Sequence, residues 1–399
     1  MKAYEKNKVP HVVFGEGVSK QAGKRLNAIG AKKCLVVAGK VVNKIGLVAP
    51  ILETLKAEGV DYVIYDNVQS DPSDWICIEC AEMLKKENCD AVLAIGGGSA
   101  IDIAKSANLI ANIPEKIEDL HNYSALGGKM KPTFTKFATF MVIPTTAGTG
   151  AEATASGVIS DTKRNLKYSF ASEQMMADIN LVDPLLTLGI PPMPTALTGV
   201  DILSHVVEAL VGVGQNDYSN LIYMECLRKV WKWLPIAMKE PNNVEARSQL
   251  SWASHNALSN GSLPNGHAVA HAIGAAYHLV HGHACIITLP AVIRHYAETA
   301  TESINEIAAI MGIPTTENAV TIARRVAEGL VDFYKRLGLS TMKETMKEKG
   351  YKDDKKTFVE KCIPGTLDDF KSRLWNPPIH RDEDRAALIE VLEMIYNQN

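Results

Sequence analysis

The first half of the chain alternates short apolar, β-branched runs with stretches of helical period. CLVVAG (Cys34–Gly39), DYVIYDNV (Asp61–Val68), DAVLAIGGGS (Asp90–Ser99) and FATFMVIPTTAG (Phe137–Gly148) read as strands, with helical patterns through LVAPILETLKAEGV and up to Lys86 between them. Strands and helices alternating at this length predict right-handed βαβ units and a parallel sheet buried on both faces. From about Pro191 the β-branched runs vanish and long helical periodicities replace them, as in TALTGVDILSHVVEALVG, YSNLIYMECLRKVWKWLPIAMKE, EARSQLSWASHNALSNG and INEIAAIMG. Pro184, Pro191, Pro192 and Pro194 cluster at the change and mark the expected boundary. The expectation is an α/β domain with a parallel sheet over residues 1–192, followed by an all-α domain over 193–399.

Composition narrows the class. The chain has 399 residues, 42 Lys+Arg against 45 Asp+Glu for a net charge of −3, with 46% apolar and 22% charged residues. That length predicts two cores rather than one. Basic and acidic residues are interspersed, so no stripe points to nucleic acid or an anionic membrane. No apolar run approaches the ~18 residues of a membrane span, and MKAYEKNKVP lacks the apolar core of a signal peptide, so a cytoplasmic protein is expected. The seven cysteines are odd in number and sit in apolar or helical contexts, which argues against a disulfide framework. Cys77 and Cys80 have CxxC spacing, but DWICIECAEMLKKE reads as one amphipathic helix with both thiols packed. The charged stretch 343–356 reads as a solvated helix and loop.

Two turns carry a ligand signal. In AIGGGSAIDIAK a strand ends at Ile95, Gly96, Gly97 and Gly98 turn the chain, and Ser99 is expected to cap the following helix; glycines and free N–H groups at a helix start suit a pyrophosphate. In PTTAGTGAE, after the next strand, Thr145, Thr146 and Thr149 offer uncharged hydroxyls that suit a ribose or nucleotide edge. Both turns fall at carboxyl ends of strands, pointing to one nucleotide-sized ligand. The histidines carry a second signal, since five of the 11 lie between residues 267 and 283: His267, His271, His278, His281 and His283. His267 and His271 share a helical face at i,i+4, and Gly274 and Gly282 are expected to turn the chain so that His281 returns. Asp201 and His205 form another i,i+4 pair upstream. One Asp and three His suffice for a four-coordinate Zn²⁺ or Fe²⁺ site, and with only N and O donors Zn²⁺ is the stronger binder.

GGGSAIDIAK, PTTAGTGAEAT, LVDPLLT, TGVDILSHVVEA and HAVAHAIGAAYHLVHG, in that order, resemble the iron-containing (group III) alcohol dehydrogenase family over essentially the whole chain. The resemblance implies a dehydroquinate synthase-like fold, with an N-terminal dinucleotide-binding domain, a C-terminal helical domain and a cleft holding a nicotinamide against a metal. It implies Asp201, His205, His267 and His281 as ligands of Fe²⁺ or Zn²⁺, with His271 beside them as a proton relay. Gly97, Gly98 and Ser99 would hold the pyrophosphate of NAD or NADP, Thr145 and Thr149 the adenosine side, with Thr146 in the same turn, and Lys167 the nicotinamide ribose. Asp102 and Lys105 complete the GGGSxxDxxK pattern and would orient that loop. The implied activity is hydride transfer between NAD(P)(H) and a small primary alcohol or aldehyde, in a homodimer or higher homo-oligomer. The rival reading is a metal-dependent lyase or cyclase of the dehydroquinate-synthase type, separable by net turnover of NAD(P)H. A non-catalytic subunit would lack ligands, and all four are present.

The chain departs from the family pattern in places. Ala151 replaces a usual Ser, Pro264 a usual Gly, and Val280 a common Pro, while Trp375, Asn376, Pro377 and Pro378 replace a frequent Gly-Asn-Pro-Arg, where a bulky indole could narrow the substrate cleft. At the end of LVVAGK many members carry Asp and this chain has Gly39. An acidic residue there accepts from the ribose 2′-hydroxyl and repels a 2′-phosphate; its loss, next to Lys40, predicts that NADP(H) is accepted and preferred.

Overall fold

A computed structural model describes residues 9–113, 117–123, 135–164, 166–212, 215–258, 266–373 and 382–398. The chain forms two compact units that divide between Gly189 and Ile190.

The first unit runs β1 (His11–Phe14), α1 (Ala22–Ala28), β2 (Lys33–Val37), α2 (Lys40–Lys44), α3 (Ala49–Ala57), β3 (Asp61–Tyr65), α4 (Asp74–Lys86), β4 (Ala91–Gly96), α5 (Gly98–Ile110), β5 (Thr139–Pro144), β6 (Ser156–Asp161), β7 (Leu166–Ala171) and β8 (Ile179–Val182). Six strands make a parallel sheet in the order β1-β8-β5-β4-β2-β3, and β6 and β7 pair as a separate antiparallel hairpin. Alternate residues of each central strand feed opposite cores. Cys34, Val36, Leu93 and Ile95 pack with α1 and α3 through Leu26, Ile51 and Leu55; Leu35, Val37, Val92 and Ala94 pack with α4 and α5 through Ile76, Leu84, Ile101 and Ala104. Two-sided burial explains why these strands read as unbroken apolar runs. After β2 the chain moves outward to β3 and then crosses back to β4 on the other side of β2. This reversal is a topological switch point, where the carboxyl ends of neighbouring strands diverge and leave a ligand crevice.

The second unit is helical: α6 (Pro192–Val211), α7 (Asp217–Lys239), α8 (Val244–Ala257), α9 (Gly266–Tyr277), α10 (His281–His295), α11 (Thr301–Ile310), α12 (Ala319–Arg336), α13 (Met342–Glu348), α14 (Lys355–Arg373) and α15 (Asp382–Tyr396). Pro191 and Pro192 start α6, where a missing N–H costs nothing. α6 is long and apolar enough to cross a membrane, but 83% of its most apolar stretch is buried, because α7, α8 and α10 pack around it. α9 and α10 join a core containing Ile273, Tyr277, Ile287, Phe358 and Leu392.

Two local expectations change. α5 begins at Gly98 with Gly97 as its N-cap, so Ser99 lies within the first turn and does not cap; glycine flexibility lets the helix start earlier. Gly274 and Gly282 lie inside α9 and α10. The reversal falls at His278, whose φ is +51°, with Leu279 N–H bonded to the Gly274 carbonyl at 3.1 Å. Gly282 serves close packing instead, since a Cβ there would lie 2.0 Å from the Leu197 carbonyl oxygen of α6.

Candidate metal centre

α6 presents Asp201 and His205 one turn apart, α9 presents His267, and α10 begins with His281. Close contact of α10 with α6 at Gly282 brings the three helices' donors together. Asp201 Oδ1 is the hub, 3.3 Å from His267 Nε2, 3.5 Å from His281 Nε2 and 3.8 Å from His205 Nε2. The rings of His205 and His267 stack at 4.4 Å. Asp201, His205 and His267 are almost fully buried, whereas the His281 side chain is 31% exposed, so the site is reached from the His281 side.

Charge is concentrated here away from water. Burial opposes the Asp201 carboxylate, but His205, His281 and His267 outweigh it and hold the group far below the usual carboxylate range. Burial pushes His205 down to about 3, against the pull of Asp201. Burial would also depress His267, yet Cys285, Glu208 and Asp201 raise it well above the ordinary imidazole value. A carboxylate and imidazoles spaced at tetrahedral-edge distances fit a borderline divalent cation. Among the described residues the buried Nδ1 of His205 has no hydrogen-bond partner, and its Nε2 faces the hub.

Two residues of the site were not singled out from sequence. Glu208, two turns beyond Asp201 on α6, accepts hydrogen bonds from His267 Nδ1 and from its backbone N–H, both at 3.0 Å. It thereby fixes which ring nitrogen of His267 faces Asp201. Gly266 allows this contact, because a Cβ there would sit 2.8 Å from the Glu208 carboxyl carbon. Cys285, one turn after His281, lies with Sγ 3.6 Å from His281 Nε2; burial pushes its thiol up to about 12. Donor atoms of Asp201, His267, His281 and Cys285 all lie within 4.8 Å of one another, so the donors in reach are not N and O alone. His271 stacks on His281 at 5.0 Å and meets the His267 ring edge at 6.3 Å. His283 instead bonds the Ser340 carbonyl at 2.7 Å, and exposed His278 makes the turn, so three of the five clustered histidines converge.

In the first unit the two glycine- and threonine-bearing turns interlock. A Cβ at Gly97 would lie 3.0 Å from Thr146 Oγ1, and one at Gly98 2.9 Å from Thr149 Cγ2; Thr145 N–H bonds the Gly96 carbonyl at 2.9 Å. Lys105 is wholly buried and donates to the carbonyls of Ala151, Thr154 and Ser156 and to Thr154 Oγ1, fastening the segment after the second turn; burial pushes its ammonium down to about 8, against the support of Asp102 and Glu152. Gly39 is the N-cap of α2 with φ −64°, a conformation any residue adopts. Lys167, on the β6–β7 hairpin, is ion-paired with Asp71.

Family profiles agree with this geometry: the one described as iron-containing alcohol dehydrogenase matches residues 10–184, and the one described as Fe-containing alcohol dehydrogenase family, C-terminal, matches residues 195–369. The chain belongs to the iron-containing alcohol dehydrogenase family. As a member it is a metal-dependent alcohol oxidoreductase. It is 31% identical to an NAD-dependent methanol dehydrogenase of Bacillus methanolicus over 96% of this chain and 97% of that one. It is 32% identical to a 1,3-propanediol dehydrogenase of Citrobacter freundii over 76% of this chain and 78% of that one. A crystal structure of a 1,3-propanediol oxidoreductase superposes with a TM-score of 0.87 at 26% identity, covering 99% of this chain and 100% of the other. Of the departures from the family pattern, Ala151 is buried and Val280 is the exposed N-cap of α10, while Pro264 and Trp375–Pro378 lie outside the described residues.

Proposed function

We propose that this iron-containing alcohol dehydrogenase relative interconverts a small primary alcohol and its aldehyde, with Asp201, His205, His267 and His281 holding a divalent cation, Fe²⁺ or Zn²⁺. The observation that carries the reading is the convergence of these four side chains from three helices around one buried carboxylate oxygen. When bound, a divalent cation supplies Lewis acidity to the substrate oxygen, and the nicotinamide supplies or accepts the hydride. The protein's own contributions are distinct. Asp201 brings negative charge, Glu208 orients His267, and His271 moves a proton at its imidazole. The unit up to Gly189 binds the dinucleotide, with Gly97, Gly98 and Ser99 at the pyrophosphate, Asp102 supporting that loop, Thr145, Thr146 and Thr149 at the adenosine side, and Lys167, once released from Asp71, at the nicotinamide ribose. A reducing, cytoplasmic setting is in keeping with seven buried, unpaired cysteines, and the assembly we propose is a homo-oligomer.

For cofactor choice we propose NADP(H) over NAD(H). Gly39 provides neither a carboxylate acceptor nor its repulsion, and its φ of −64° is one that any residue adopts. The test is steady-state kinetics with NADH and NADPH over an aldehyde panel after anaerobic loading with Fe²⁺, Zn²⁺, Mn²⁺ or Co²⁺. Gly39→Asp should raise the NADH/NADPH ratio of kcat/KM at least ~10-fold, about 1.4 kcal/mol. Because a Cβ there would stand 3.3 Å from Val68 Cβ, the substitution is also made with Val68→Ala. A wild type that strongly prefers NADH, with no shift in either variant, refutes the NADP(H) preference.

A further inference from the structure

We propose that Cys285 Sγ is itself a ligand of the cation at this centre, giving the chain an N/O/S donor set. The proposal rests on the reading that a divalent cation occupies the Asp201 site. Cys285 follows His281 by four residues on α10, so both project from one face. Apolar neighbours Ala270, Ala284 and Leu279 pack beside it, yet its sulfur stands at 3.6 Å from His281 Nε2. Metal bonds of ~2.0–2.1 Å to N or O and ~2.3 Å to S give tetrahedral edges of ~3.4 Å between N or O donors and ~3.6 Å between N and S. The edges found are 3.3 Å from Asp201 to His267, 3.5 Å from Asp201 to His281 and 3.6 Å from His281 to Cys285. These three contacts chain all four donors at coordination spacing.

No redox change is involved. The Sγ–H bond breaks, its proton passes to solvent, and the sulfur lone pair forms the bond to the cation. Asp201, His267, His281 and Cys285 form the mutually close set, with His205 Nε2 standing 3.8 Å from the shared Asp201 oxygen. A thiolate favours Zn²⁺ and Co²⁺ over Mn²⁺, so this centre differs in metal preference from one built of imidazole and carboxylate alone.

The test uses the full-length enzyme loaded with Co²⁺, its metal content fixed by elemental analysis. Wild type should show a near-ultraviolet sulfur-to-cobalt charge-transfer band that Cys285→Ser lacks, and Cys285→Ser should bind Zn²⁺ at least ~10-fold more weakly in chelator competition. X-ray absorption of the wild-type Zn²⁺ enzyme needs no variant and should find sulfur in the coordination shell. Stoichiometric metal without the band or a sulfur neighbour overturns the proposal and leaves the cation site standing. Failure to bind any of these cations overturns the cation site as well.

Discussion

Replacing Glu208 by Gln alters a side chain that acts on the site through His267. The carboxylate is fully buried and accepts from two different donors of His267, the backbone N–H and the ring Nδ1–H, each at 3.0 Å. Gln offers one oxygen where Glu offers two, so one donor is satisfied and the other meets an NH₂ group. Without a cation the ring can release its Nδ1 proton, keep the one on Nε2 toward Asp201, and accept from that NH₂. With a cation on Nε2 the proton must stay on Nδ1, and the donor–donor conflict falls on the metal-bound state. One hydrogen bond to a charged group is worth ~1.5–3 kcal/mol, equivalent to ~10- to 150-fold in affinity, which overlaps the ~10- to 100-fold typical of groups that orient metal ligands. Chelator competition with Zn²⁺ measures this directly, with His267→Ala as the reference for a lost ligand. If Glu208→Gln binds metal as wild type does while His267→Ala does not, the orienting role is refuted.

His271→Ala should retain metal but lose ~10²- to 10⁴-fold in kcat and flatten one limb of the pH profile, as expected of a proton-transfer residue; elemental analysis showing metal loss equal to that of His267→Ala would make it a ligand instead. Gly98→Ala drives a Cβ to 2.9 Å from Thr149 Cγ2, so calorimetry should show dinucleotide affinity falling while metal content stays unchanged, and unaltered affinity would mean the turns are not a joint cradle. Asp161 is held below the usual carboxylate range: burial opposes the charge, but Arg164 and the N–H groups of Arg164 and Lys163 outweigh it. Its stabilisation is therefore complete above the unfolded value near ~3.9 and lost as pH falls through the lower folded one. Asp161→Asn should lower Tm at neutral pH and converge with wild type in strong acid, and a constant difference across the scan would contradict the linkage.

What was legible in the chain follows the reach of each signal. The strands β2, β4 and β5 are doubly buried and announce themselves as apolar runs, and the edge strand β3 is rich in Tyr, Val and Ile, whereas β1 and β8 have only four residues each and the buried face of β6 carries Gly157 and Asp161 beside Ile159. The i,i+4 spacing of Asp201 with His205 and of His267 with His271 encodes a shared face without tertiary information. Glu208 offered only the weaker cue of one carboxylate inside the apolar run HVVEALV, and its partner is 59 residues away. Cys285 read as one more packed thiol, because its neighbours in sequence are apolar; only the approach of α6, α9 and α10 sets it among ligands. The reversal at His278 was invisible for a related reason. Glycine is the usual left-handed residue, and here a histidine takes that conformation while Gly282 serves close packing.

The contact of Gly282 with the Leu197 carbonyl means that the spacing between the helices bearing Asp201 and His281 is gauged by peptide backbone, which has no rotamers to choose among. Side-chain spacers breathe as their torsions hop; a main chain resting on a bare Cα does not. The polypeptide itself thus acts as a fixed calliper, one jaw on each helix. The organisation of the donors is largely complete once folding ends, and little of the binding free energy of an arriving ion is diverted into drawing the helices together.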